Sequence, residues 1–272
     1  MSFVHLHNHS HYSLLDGLTK LDEMVNYAKE QGSPAIALTD HGSMYGIIEF
    51  YQKAKKAGIK PILGVETYVA PNSRHDKNTR EDGRGNHLIL LAKNNVGYQN
   101  LIKLISAAHL EGFYYKPRID WEILKEHHEG LIASTACLAG EIPRLIRADK
   151  LAEAKKRILE YNELFGQDNF YLELMDHPEL EDLVKVNDQL IKFSKELNIP
   201  LVATNDTHYF KKEDAEAQDI LLCLQNKKKK TDTDRMTMIG HGDYSLRSNS
   251  EMIAAFAHVP EAIENTLKIA EM

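Results

Sequence analysis

The feature that most restricts this chain is what stands at the ends of its short apolar runs. Residues 3–6, 35–38, 61–65, 87–92, 131–134, 170–174 and 201–203 have the length and composition of buried strands. At or just past such ends come His7-Asn8-His9 with Asp16, Thr39-Asp40-His41, Gly64-Val65-Glu66, Thr135-Ala136-Cys137 and Asn205-Asp206-Thr207-His208. Imidazoles, carboxylates and a lone thiol gathered at strand ends point to one polynuclear metal centre. A metal-dependent hydrolase is the first expectation.

Helical stretches separate most of the runs. In 20–31 the apolar Leu21, Met24, Val25 and Ala28 form one stripe, with Thr19 placed to cap it. Residues 47–57, 98–108, 151–165 and 180–197 read alike, and glycines punctuate the connections. The rhythm is βαβα with about seven strands, which predicts a parallel sheet closed into a barrel. Active sites of such barrels lie at the C-terminal strand ends, where the candidate residues fall. His87 breaks the pattern because it begins its run, after Gly83-Arg84-Gly85, so it must reach the site from a loop or an atypical strand.

Two segments interrupt the rhythm. Residues 71–86 are polar and read as a mobile loop near the barrel mouth; 112–130 carries Tyr114, Tyr115, Lys116, Arg118 and Trp121. Near the C-terminus, Ser248-Asn249-Ser250-Glu251 has the spacing of a capping box, and Pro260 suits a helix start.

The chain has 272 residues, 43% of them hydrophobic, enough for a sizeable core. Its net charge of −7 argues against coating nucleic acid with the whole surface, but leaves room for a local basic groove. Two cysteines, Cys137 and Cys223, make no disulfide framework. The start, Met1-Ser2-Phe3-Val4-His5, lacks the regions of a signal peptide, and no apolar run approaches the roughly 18 residues of a membrane span. A cytoplasmic protein without membrane contact is expected.

Four of the 14 histidines alternate at the N-terminus: His5, His7, His9 and His11. On an extended segment the first three share a face. One His-x-His is a weak signal alone. The carboxylates and histidines at other strand ends strengthen it, and a Cys137 thiolate tilts the metal toward zinc.

The run His7-Asn8-His9-Ser10-His11-Tyr12-Ser13-Leu14-Leu15-Asp16-Gly17 resembles the first motif of the PHP (polymerase and histidinol phosphatase) superfamily. Leu38-Thr39-Asp40-His41-Gly42 with Met44-Tyr45-Gly46, then Gly64-Val65-Glu66, then Ala203-Thr204-Asn205-Asp206-Thr207-His208-Tyr209 resemble its later motifs. The wording is most similar to the PHP domains of bacterial DNA polymerase III α subunits. Asn94-Asn95-Val96-Gly97-Tyr98-Gln99-Asn100-Leu101 and Tyr244-Ser245-Leu246-Arg247-Ser248 add to that narrower likeness.

The resemblance implies a distorted seven-stranded α/β barrel over 1–272, one PHP domain forming the N-terminal part of a longer polymerase chain. It implies up to three divalent metals, zinc favoured, with manganese, iron or magnesium as alternatives. Carried over motif by motif, the ligands are His7, His9, Asp16, His41, Glu66, His87, Cys137, Asp206 and His208. Catalytic roles fall to Asp16, Asp206, His208 and His9, the two histidines being the candidates for proton transfer. The implied activity is phosphoester hydrolysis by a metal-activated water, foremost a proofreading 3′–5′ exonuclease, with no polymerase activity in this stretch. Implied partners are a single-stranded or frayed DNA 3′ end, the rest of the polymerase chain and replisome subunits. Two rivals are a catalytically silent, metal-stabilised scaffold and a stand-alone phosphatase resembling histidinol-phosphate phosphatase.

The remaining residues have plainer readings. His5 is structural, and His11 faces solvent or lines the mouth. Asp40 orients His41 or a nearby backbone rather than binding metal. His109, His127, His128, His177, His241 and His258 serve surface or packing roles, and Cys223 lies in the core. Lys227-Lys228-Lys229-Lys230 is a solvated loop before it is a DNA contact. Tyr114, Tyr115, Lys116 and Arg118 either clamp single-stranded DNA or pack internally.

Overall fold

The computed structural model describes residues 2–272. Its centre is a curled seven-stranded sheet: β1 (Ala35–Leu38), β2 (Lys60–Val69), β3 (Asn86–Ala92), β4 (Arg118–Ile119), β5 (Leu131–Ser134), β6 (Phe170–Met175) and β7 (Leu201–Thr204). The order is β1-β2-β3-β5-β6-β7, with short β4 beside β2. Helices α1 (Leu21–Glu30), α2 (Ile47–Ala57), α3 (Asn95–Leu110), α6 (Leu151–Phe165) and α7 (Glu181–Leu197) fall where the periodicity predicts them. Between them lie the short α4 (Trp121–Glu126) and α5 (Glu141–Arg147). Helices α8 (Ala215–Asn226), α9 (Asn249–Ala255) and α10 (Pro260–Glu271) complete the chain. Ser248 Oγ accepts from the Glu251 N–H and the Glu251 carboxylate accepts from the Ser248 N–H, the reciprocal cap expected of that spacing. Thr19 does not cap α1; Lys20 occupies that position, and its N–H donates to Glu23.

The all-parallel expectation needs one correction. Strand β3 runs antiparallel to both β2 and β5, while β1–β2, β2–β4, β5–β6 and β6–β7 are parallel. No helix lies between β2 and β3. A parallel return needs a long crossover, so this pair closes antiparallel. The reversal puts the first residues of β3 at the end of the sheet where the other strands finish.

Residues 3–6 are extended but form no strand of their own. Instead the N-terminal segment spans the two open edges. The His5 and Asn8 carbonyls accept from Ala37 and Thr39 on the β1 side, and Thr207 exchanges bonds with His7 and His9 on the β7 side. The half-barrel is thereby closed by a few backbone bonds.

Alternation along the strands sorts the core. Ile62, Ile89, Leu91, Ile132, Tyr171 and Val202 point inward and meet Val4, Leu6 and, from α10, Ile269 and Ala270. Leu88, Leu90, Phe170, Leu172, Leu201 and Ala203 point outward onto the helices. The same period of two aims Glu66 of β2 and Glu173 of β6 inward, above the apolar layer. Both are buried, 0% and 3% exposed.

Loop 71–85 is pinned rather than free. The fully buried Arg118 guanidinium donates to the carbonyls of Arg74, Asp76, Asp82 and Gly112. Arg118 is therefore not available to clamp DNA. Lys228 and Lys230 pair with Asp234 and Glu216, which neutralises half of the lysine run. Cys223 is buried and free, as expected. No helix among the described residues is long and apolar enough to cross a membrane.

His5 is structural: Nε2 donates to the Arg247 carbonyl at 2.8 Å, and burial pushes its pKa down to about 4. The unfolded chain, with a pKa of 6.5 at this position, takes up the proton first. The contribution of neutral His5 is therefore complete above about pH 6.5 and is lost as pH falls toward 4. In urea unfolding of metal-free protein, the wild type is expected to lose up to about 3 kcal/mol more than His5→Gln between pH 7 and pH 4. Parallel curves for the two proteins would contradict this.

Candidate metal centre

All nine candidate ligands converge above the apolar layer. His7 Nε2 lies 3.2 Å from His9 Nε2, 3.0 Å from an Asp206 oxygen and 3.5 Å from Glu66 Oε1. The other face of Glu66 meets His9 at 3.4 Å and His41 Nδ1 at 2.5 Å. His87 Nδ1 approaches Glu66 Oε1 to 2.7 Å, and Cys137 Sγ lies 3.5 Å from that nitrogen and 3.9 Å from that oxygen. His41 Nε2 reaches Asp16 at 2.9 Å, and His208 Nε2 lies 3.8 Å from the other Asp16 oxygen. Three overlapping groups come close enough to share an ion: His7, His9 and Glu66; His41, Glu66 and His87; and His9, His41 and His208.

Local backbone explains how short loops achieve this. The reversed direction of β3 brings His87 in from its starting end, as an atypical strand. Glu66 lies inside β2, not at its end, because β2 outruns its pairing with β1. Asp206 and Ala136 adopt left-handed φ of 49° and 56°, so two of the donor loops hold strained residues. Gly42, at φ 55°, packs where any Cβ would strike Pro117 and Tyr68, so the turn after His41 demands glycine.

The electrostatics are those of a cation-seeking site. Burial alone would raise Asp16, Glu66 and Asp206; the surrounding imidazoles outweigh it and hold all three well below the carboxylate range. Burial would likewise depress His7, but Asp206, Glu173 and Glu66 hold it well above the usual histidine value. His9, buried beside His41 and His208, is pushed down to about 3 and stays neutral. Burial and the Glu66 and Asp206 carboxylates push the Cys137 thiol up, an effect that only a cation beside the sulfur reverses. Glu66 Oε2 and His41 Nδ1 lie 2.5 Å apart, and Asp206 Oδ1 lies 3.0 Å from His7 Nε2, yet these buried atoms make no well-directed hydrogen bond with each other, and Asp16 Oδ1 makes none at all. Lone pairs turned into a shared cluster rather than toward one another's protons fit divalent metal.

Residues that the motifs passed over hold the cluster from behind. Glu173 accepts from His7 Nδ1 at 2.7 Å and from the hydroxyls of Ser134 and Thr204. The sequence signal was a single acid in an otherwise apolar run. Asp40 accepts from the Ser10 N–H and the Ser13 hydroxyl, and Ser13 Oγ in turn lies 3.0 Å from His9 Nδ1 and 3.1 Å from the His41 backbone N–H. It orients backbone and ligand candidates, as its position suggested. His177 is buried with both ring nitrogens unpartnered, its ring 4.2 Å from that of Tyr244. His109 bonds the Gly42 carbonyl, and His11 is exposed.

The model of the PHP domain family matches residues 5–177. The chain belongs to the PHP domain family. This PHP chain is 50% identical over 270 residues to DNA polymerase III subunit alpha of Borreliella burgdorferi, a match that covers 99% of this chain and 23% of that protein. Against the same subunit of Treponema pallidum it is 48% identical, covering 100% and 23%. The chain thus spans about a quarter of the length of these relatives. A two-domain protein of Bacteroides vulgatus with a predicted PHP-like metal-dependent phosphoesterase superposes distantly, with TM-score 0.45 and 14% identity, covering 96% of this chain and 63% of that one.

Removing the carboxylate behind His7 isolates its role in the PHP site. Glu173→Gln is expected to lower zinc affinity about 10- to 100-fold, measured by competition with a chelating dye. Unchanged affinity would contradict the positioning role.

Proposed function

We propose that this chain is the PHP part of a replicative polymerase α subunit and a metal-dependent phosphodiesterase acting on a DNA 3′ end. The observation that carries the proposal is the packing of histidine nitrogens and carboxylate oxygens into three overlapping groups, each close enough to share an ion, with the Cys137 thiol beside one of them. The likeness to DNA polymerase III α subunits supports DNA over small phosphate esters as the substrate.

In this reading His7, His9, Glu66 and Asp206 would hold one ion; Glu66, His87 and Cys137 a second; and Asp16, His41 and His208 a third. Zinc is favoured by the thiol, with manganese, iron or magnesium the alternatives. When bound, the ions supply an acidified water and charge stabilisation for a phosphodiester. Glu66, with Oε1 beside His7 and His87 and Oε2 beside His9 and His41, would be shared between ions. Glu173 and the Asp40–Ser13 pair hold His7 and His9 in ligating orientation. His208 Nδ1–H donates to the Asp206 carbonyl, leaving Nε2 directed at Asp16 and the cluster. His9 and His208 serve as ligands in this reading, and the leaving oxygen takes its proton from water. The partners are a single-stranded or frayed DNA 3′ end, the rest of the polymerase chain and the replisome.

Incubation with a 5′-labelled, 3′-mismatched oligonucleotide and Mn²⁺ or Zn²⁺ is expected to give stepwise shortening from the 3′ end. Asp16→Asn and His208→Ala should each lower that rate at least about 100-fold. Metal-loaded protein that melts higher but shortens nothing would leave the scaffold reading instead.

A further inference from the structure

Beside the metal cluster the surface opens into a cleft that the cluster chemistry does not use. His41 forms its inner end, and Tyr12, Tyr45, Tyr68, His109 and Lys116 line it. Its volume of about 150 Å³ takes a single ring system rather than a duplex. The floor is rigid: the Tyr68 ring stacks 6.0 Å from His41, His109 bonds the Gly42 carbonyl at 2.9 Å, and the Tyr12 hydroxyl donates to Glu49. The Lys116 ammonium lies over the Tyr68 ring at 5.3 Å. Tyr45 differs from its neighbours: it is 62% exposed, and it stands between this cleft and a second apolar groove bordered by Ile102 and Leu110. An exposed aromatic ring, a cation and a hydrolytic centre in sequence have the layout of a single-stranded nucleic acid track.

We propose that this cleft seats the 3′-terminal nucleotide of a single strand. Tyr45 stacks on the terminal base and Lys116 pairs with a backbone phosphate, presenting the scissile linkage to the cluster at His41. The subsite rests on the phosphodiesterase reading above and gives that activity its preference for unpaired ends: a base must be free to stack on Tyr45. Tyr45 and Lys116 are positioning residues and take no part in bond breaking.

The test is equilibrium binding, read by fluorescence anisotropy in EDTA, so that hydrolysis plays no part. The probes are short 5′-labelled single strands with either an intact or an abasic 3′-terminal nucleotide. The intact strand is expected to bind about tenfold more tightly. Tyr45→Ala should abolish that difference by weakening only the intact strand, whereas Tyr45→Trp should retain it. Lys116→Met should weaken both strands and flatten the salt dependence. No preference in the wild type, or a preference that survives Tyr45→Ala, overturns the subsite. A chain that shortens the mismatched oligonucleotide but shows no terminal-base preference loses the subsite alone. A chain that binds with the preference but cuts nothing loses the activity and keeps the subsite.

Discussion

Glu66 is the constraint around which the fold is arranged. It is fully buried and lies within 3.5 Å of nitrogens from His7, His9, His41 and His87. A carboxylate in such a place is costly unless positive charge surrounds it. Imidazoles from three separate parts of the chain surround it, and those of His7 and His41, held well above the usual histidine value, provide part of that charge. Each must arrive with its ring already oriented, so the surrounding structure is a set of supports: Glu173 behind His7, Ser13 and Asp40 behind His9, and Gly42 allowing the turn that follows His41.

The sheet serves the same end. A barrel whose strands all ran one way would carry His87 to the opposite rim. Reversing β3 brings it beside Glu66, and the hairpin-like β2–β3 connection makes the reversal possible. The polar loop that forms this connection lacks regular structure for most of its length. Arg118 holds it in place by taking up its carbonyls, which leaves the mouth beside His41 shaped by packed side chains.

Much of this was legible in the sequence because metal-ligand chemistry and strand periodicity leave separate marks at the same positions. The apolar runs gave the strand positions, and the residues beyond them gave the cluster. What was illegible has a common physical cause: single residues whose role depends on a distant partner. Arg118 looks like any surface arginine until four carbonyls from other loops close around it. Glu173 looks like an interruption in an apolar strand until His7 is placed against it. The lysine run 227–230 reads as a solvated loop, and nothing in the run itself showed that Lys228 and Lys230 would pair with Asp234 and Glu216. The segment 3–6 has strand composition, yet its neighbours bond it too sparsely to form a strand. The antiparallel course of β3 was signalled only by His87 standing at the wrong end of its run.

The proposed activity rests on Glu66 being shared between ions in a polynuclear cluster. Elemental analysis of protein loaded with zinc and desalted, wild type beside Glu66→Gln, tests it directly. At least two ions are expected per wild-type chain, with more than one lost in the variant and the fold retained by circular dichroism. A wild type holding one ion or none, or a variant holding as many as the wild type, would contradict it.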